Sequence, residues 1–132
     1  MKYFTIEELT RSATASRLKI DNTPPPEAVT ALTRLTERLL DPVRELRGGP
    51  LIVTSGYRCA ALNSAVGGAR HSHHMRGMAV DITTGNAVDN RRLFQAIMAS
   101  GLDFTQMIDE RGFSWIHLSF DPDDLRKEVL RL

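Results

Sequence analysis

The chain has 132 residues, 42% hydrophobic and 25% charged, which suits one globular domain over residues 1–132 built around a single core. Its 17 basic and 16 acidic side chains give a formal net charge of +1 with no long single-sign run, so a nucleic-acid footprint is not expected. Cys59 is the only cysteine, which excludes an intrachain disulfide and any need for an oxidising compartment.

The opening MKYFTIEELTR has neither the apolar run of a secretory signal nor a membrane span. Cytoplasmic synthesis without membrane association is therefore expected, and action outside the cell needs another export route. Thr5 and Glu8 form a capping-box pattern that predicts a short helix after Thr5. Prolines 24–26 then introduce the main helix. Its apolar Val29, Leu32, Leu35, Leu39, Val43 and Leu46 recur at spacings of three and four, Gly48 and Gly49 stop it, and Pro42 predicts a kink. LIVTSGYR reads as a buried strand ending at Gly56, which leaves Arg58 just past a strand end.

CAALNSAVGG allows a short helix closed by Gly67 and Gly68, and a histidine-rich loop follows. Met78, Val80 and Ile82 then alternate as a strand, which turns Asp81 to the opposite face with Ala79 and Thr83. NAVDNRRLFQAIMASG predicts a helix with Val88, Leu93, Phe94, Ile97 and Met98 on its apolar side and Gly101 as its stop. FTQMIDERGFSWIHLSF reads as a β-hairpin turning near Gly112, and Asp121-Pro122 predicts a final helix. The plan is α+β, a small antiparallel sheet flanked by helices. No coiled-coil heptad or long exposed apolar stripe is present, so a monomer is expected.

Three of the four histidines fall in ARHSHHMRGMAVD, which on spacing alone is either a metal site or a solvated polar loop. Zinc needs only three protein donors and one water in a catalytic site. His74 and Asp81 could supply two of them, with Gly77 letting the loop fold back over the strand, and His117 in WIHLSF could supply the third. The commonest zinc-protease signature, HExxH, is absent.

The ordered set SGYRCAALNSAVGG, SHHMRGMAVDI and WIHLS resembles the peptidase M15 family, zinc D-Ala-D-Ala carboxypeptidases and phage endolysin peptidases that cut bacterial cell-wall peptides, and in particular its small M15A-like members. The likeness runs from FTIEELTRSATA to WIHLSF. It implies a Hedgehog/D-Ala-D-Ala-peptidase type of fold and a zinc ion held by His74, Asp81 and His117. It implies a peptidoglycan peptide as substrate, with Arg58 directed at it and Ser72 and Gln106 lining its site. His71 and His73 fall outside the ligand pattern and are expected to face solvent.

One departure concerns the general base. Many members of that family carry Asp or Glu three residues before the last zinc histidine, where this chain has Ser114. If the hairpin loop holds an even number of residues, His117 shares a face with Glu110, Ile108 and Gln106, while Asp109 points away. Glu110 is then the candidate base, and its alternative is a solvated turn residue. The expected activity is a zinc peptidase released to the wall by a phage or prophage lysis route. The alternative is a weak or inactive module that binds cell-wall peptide or serves as a phage structural part.

Overall fold

A computed structural model describes residues 1–132. The Thr5 hydroxyl accepts the Glu8 amide at 3.2 Å and opens α1 (Ile6–Thr10), as the capping pattern predicts. A second short helix, α2 (Ala13–Leu18), was not expected; its only local signal is Ser12, whose hydroxyl accepts the Ala15 amide. The long apolar stripe becomes one helical run in three parts: α3 (Pro26–Leu35), a π-helical turn (Thr36–Leu40) and α4 (Asp41–Arg47). Pro42 has no N–H to donate, and the chain responds with a widened turn just before it: the Asp41 amide reaches back five residues to Thr36 O. Leu32, Leu35, Leu39 and Val43 are fully buried, whereas Leu46 emerges into solvent at the last turn.

The sheet has five strands in the order β1 (Ile52–Ser55), β2 (Ala79–Thr83), β4 (Trp115–Ser119), β3 (Gln106–Glu110), β5 (Glu128–Arg131). Three expectations fail here. β1 is an edge strand and not a buried one: it pairs only with β2, and Ile52 is 54% exposed. No helix follows Asp121-Pro122. The Asp121 side chain and carbonyl accept the Asp123 and Asp124 amides, at 3.0 and 2.9 Å, to make a single turn. The chain then pairs parallel with β3 as β5, which makes the sheet mixed and not purely antiparallel. Leu125, Val129 and Leu132 would suit a helical stripe, but the free edge of β3 offers main-chain partners such as Asp109 O, which accepts the Leu132 amide at 3.0 Å.

The hairpin loop between β3 and β4 holds the four residues 111–114, with Arg111, Gly112 and Phe113 at positive φ. Glu110 therefore faces Trp115 and Ile108 faces His117 across the ladder. Val80, Ile82, Met107, Ile116 and Leu118 share the other face, where they form the core with α3, the π turn, α4 and α6 (Ala87–Ser100). In α6 the buried stripe is Leu93, Phe94 and Ile97; Val88 and Met98 are exposed, a narrower stripe than expected. The face opposite the core carries the polar residues.

Candidate metal centre

Strand register brings two distant residues together. Asp81 on β2 pairs directly with His117 on β4, and His117 Nδ1 lies 3.0 Å from Asp81 Oδ1. The third residue arrives from a 3₁₀ turn, His73–Arg76, where a plain loop was expected. Ser72 opens the turn by accepting the His74 amide at 3.1 Å. Gly77 closes it at φ +70°, and a Cβ there would lie 2.5 Å from Ala28 O, so the turn packs directly on α3. The result is a fully buried His74 ring, with Nδ1 2.7 Å from Gly56 O and Nε2 3.3 Å from Asp81 Oδ1.

The donor set fits a small divalent cation. Tetrahedral ligands about 2.0–2.1 Å from zinc stand about 3.3 Å from one another. Asp81 Oδ1 lies 3.0 and 3.3 Å from the two imidazole nitrogens, and all three donor atoms lie within 4.8 Å of one another. Proton assignment adds a second argument. A carbonyl oxygen only accepts, so His74 Nδ1 carries the proton that it gives to Gly56 O, and Nε2 presents a lone pair. That Nε2 is buried with no hydrogen-bond partner and faces a carboxylate oxygen that also only accepts. Two acceptors facing each other in a buried site require a cation or a proton between them. Burial alone would raise the Asp81 pKa, but the neighbouring imidazoles, His117 first, outweigh it and hold the carboxyl below the usual range.

Arg58 is held on three sides. Its Nε donates to Ser55 Oγ at 3.1 Å, its Nη1 donates to Asn63 Oδ1 at 3.0 Å, and Nη2 lies 3.6 Å from Asp81 Oδ2. Burial lowers its pKa and Asp81 opposes that; a guanidinium remains charged regardless. Asn63 was missed by sequence reasoning, although it sits inside the quoted SGYRCAALN. It is buried, and its Nδ2 donates to Ala69 O at 2.9 Å, which ties Arg58 to the histidine-bearing segment. Asn22 was missed too. It bonds Thr10 O, Tyr57 O and the Cys59 amide, and so fixes the turn that carries Arg58.

An open cavity of about 450 Å³ spans the three metal-ligand candidates and is bounded by Arg58, Ser72, Gln106, Glu110 and Trp115. All the candidate site residues therefore meet in one cleft. Glu110 reaches it from the hairpin, on the face of His117. Gln106 Nε2 donates to Glu128 Oε1 at 2.7 Å. Asp109 points into the core, where its Oδ1 accepts the Phe113 amide at 2.6 Å. Ser114 lies outside the cleft, its hydroxyl donating to Arg111 O within the turn. His71 is exposed at the rim. His73, expected to face solvent, is instead half-buried against the cleft because the 3₁₀ turn tucks it in; burial and then Arg76 push its pKa down.

A largely buried His–Asp–His set that could hold a metal ion, on one face of a mixed α+β sheet with an arginine and a glutamate sharing the cleft, is an arrangement suited to metal-assisted hydrolysis. The family model described as Peptidase M15 matches residues 2–119, and the chain belongs to that family of metal-dependent peptidases. A search of curated proteins finds no match.

Proposed function

We propose that the chain is a zinc metallopeptidase, with the Hedgehog/D-Ala-D-Ala-peptidase type of fold, that hydrolyses peptide bonds of bacterial peptidoglycan as a carboxypeptidase or endolysin-type endopeptidase. The observation that carries this reading is the pair of buried acceptors, His74 Nε2 and Asp81 Oδ1, facing each other 3.3 Å apart at the floor of an open cleft. A zinc ion held by His74, Asp81 and His117 supplies Lewis acidity toward a carbonyl oxygen and toward water.

The other groups divide the work. Glu110 takes a proton from the attacking water and returns it to the amine nitrogen as the C–N bond breaks. Arg58, braced by Ser55 and Asn63, directs its cationic donors at a substrate carboxylate or at the oxyanion. Glu128 takes one Gln106 amide N–H and so orients the group, which leaves the Gln106 carbonyl oxygen to accept from a substrate N–H. Ser72 keeps its own hydroxyl proton for the substrate, since it accepts from the His74 amide. The protein works as a monomer, with neither nucleic acid nor membrane as partner, and reaches the wall through a phage or prophage lysis route.

Ser114, in place of an acid three positions before His117, favours a second reading, a module that binds cell-wall peptide without cutting it. Incubating zinc-loaded protein with purified peptidoglycan and identifying the released fragments by mass spectrometry separates the two. Fragments with new amine ends are expected from the wild type and not from Glu110→Gln. Binding to peptidoglycan without release by zinc-loaded wild type would establish the binding module.

A further inference from the structure

A second and larger groove, about 690 Å³, lies on the other side of Arg58 from the metal cleft. One wall is the free edge of β1, and the other is the α1–α2 junction with Arg11, Ser12 and Thr14. We propose that this groove binds the arm of the peptide substrate remote from the scissile bond, held extended as a sixth strand against β1. The inference rests on the peptidase reading and deepens it.

Main-chain chemistry supports the assignment first. β1 is hydrogen-bonded to β2 alone, and outside that ladder no N–H or C=O of Ile52–Ser55 has a backbone partner. An edge strand is usually guarded by charge, as β5 is by Glu128 and Arg131 at the opposite edge. β1 reads Ile-Val-Thr-Ser with no charge at all, and Ile52 is 54% exposed. Pro50 before it and the register shift between Val53 and Ser55 shorten the free edge to a few residues. Four residues with free main-chain groups are long enough for a peptide that adds by main-chain hydrogen bonds.

Placement and charge point the same way. Arg58 and Gly68 border both the groove and the metal cleft, so a chain lying along β1 leads past Arg58 to the candidate zinc ligands. Arg58 is already paired with Asp81, so Arg11 is the cation the groove offers a carboxylate, beside the single acid Glu8, whose carboxylate accepts from the Thr5 hydroxyl at 3.4 Å. Val53, Leu62 and Val66 provide an apolar floor. The occupant is therefore an extended peptide arm of a few residues with a carboxylate for Arg11.

The test compares zinc-loaded wild type and Arg11→Gln on two substrates, a full-length peptidoglycan stem peptide and a dipeptide that keeps only the scissile bond. Arg11→Gln should raise KM for the long peptide roughly tenfold, the worth of one charged hydrogen bond, and leave kcat and dipeptide hydrolysis unchanged. NMR of the zinc-loaded protein titrated with the stem peptide should shift the amide signals of residues 52–55. Hydrolysis of the long peptide with those signals unmoved, or equal effects of Arg11→Gln on both substrates, overturns the groove and leaves the peptidase standing. Shifted β1 signals without hydrolysis by the wild type keep the groove and sink the peptidase. No shift and no hydrolysis overturns both.

Discussion

Gly68→Ala probes the bracing of Arg58 through one methyl group. Gly68 does not use positive φ, so alanine suits its backbone and the whole effect comes from the added Cβ. That carbon would collide with Asn63 Oδ1 and lie 2.6 Å from Arg58 Nη1. Asn63 is buried and tethered through its other amide atom to Ala69 O, so it has little room to yield. The Arg58–Asn63 hydrogen bond, 3.0 Å long, is the contact that gives way. A hydrogen bond to a charged group contributes about 1.5–3 kcal/mol. At about 1.36 kcal/mol per decade, kcat/KM on a peptide substrate should fall roughly 10- to 150-fold. Zinc content, measured by elemental analysis, should not change, because the atoms nearest the added Cβ belong to Asn63 and Arg58 and not to His74, Asp81 or His117. Gly67→Ala is the control: Gly67 has φ +71° and no atom near its missing Cβ, so alanine strains the backbone by about 1 kcal/mol without touching Arg58. It should lower the melting temperature and spare kcat/KM. Wild-type kcat/KM in Gly68→Ala, or equal losses in both variants, would refute the reasoning.

Protein purified without chelators should carry about one zinc per chain. Elemental analysis should find none in His74→Ala/His117→Ala and a full complement in His71→Ala; zinc retained in the double variant would overturn the ligand assignment. Chelation should also lower thermal stability, by about 4 kcal/mol relative to a metal concentration of about 1,000 Kd. Glu110→Gln should keep its zinc while peptidoglycan hydrolysis drops by about 10² to 10⁴, the usual worth of general acid–base catalysis. Ser114→Glu should change little, because that side chain is turned toward the Arg111 carbonyl outside the cleft; a rate gained there would move the base to position 114. In chelated protein, the Asp81 carboxyl titrates below its ordinary value of 3.8, so the unfolded chain binds the proton more readily. Its stabilising contribution is present above about pH 4 and lost as pH falls below that. Urea melts from about pH 5 downward should therefore show a shallower acid loss in Asp81→Asn than in the wild type, and identical slopes would refute this.

What could be read without the structure was whatever depends on parity and short range. Two-residue alternation places Asp81 opposite Val80 and Ile82, and a four-residue hairpin loop puts Glu110 and His117 on one face, because side chains in strands can only alternate. The apolar spacing of Leu32, Leu35, Leu39 and Val43 reports a buried helix face for the same reason. Strand order has no such local signature. Ile52 and Val53 are good strand formers whether central or at an edge, so the exposure of β1 could not be foreseen, nor could the pairing of Glu128–Arg131 with β3. Asp121-Pro122 opens a turn as readily as a helix, and only the free edge of β3 decides between them. Asn63 and Asn22 were invisible for another reason. Their partners are backbone groups and a guanidinium brought near by folding, and nothing about an asparagine in sequence tells what its amide will hold.

Gly56 links parts of the molecule that look unrelated. Its carbonyl oxygen receives the His74 Nδ1 proton, while on its other side a Cβ would collide with the Leu9 carbonyl, and the neighbouring Tyr57 amide donates to Leu9 O at 2.7 Å. The first helix is thus a stop against which the His74 imidazole is set. Pulling α1 away, by a fused partner under tension or by cutting the chain after Thr10, frees the backbone at 56–57 to rotate, and the imidazole loses the contact that fixes its tautomer. The amino-terminal helix and the His74 ring are thus set by the two sides of one peptide segment.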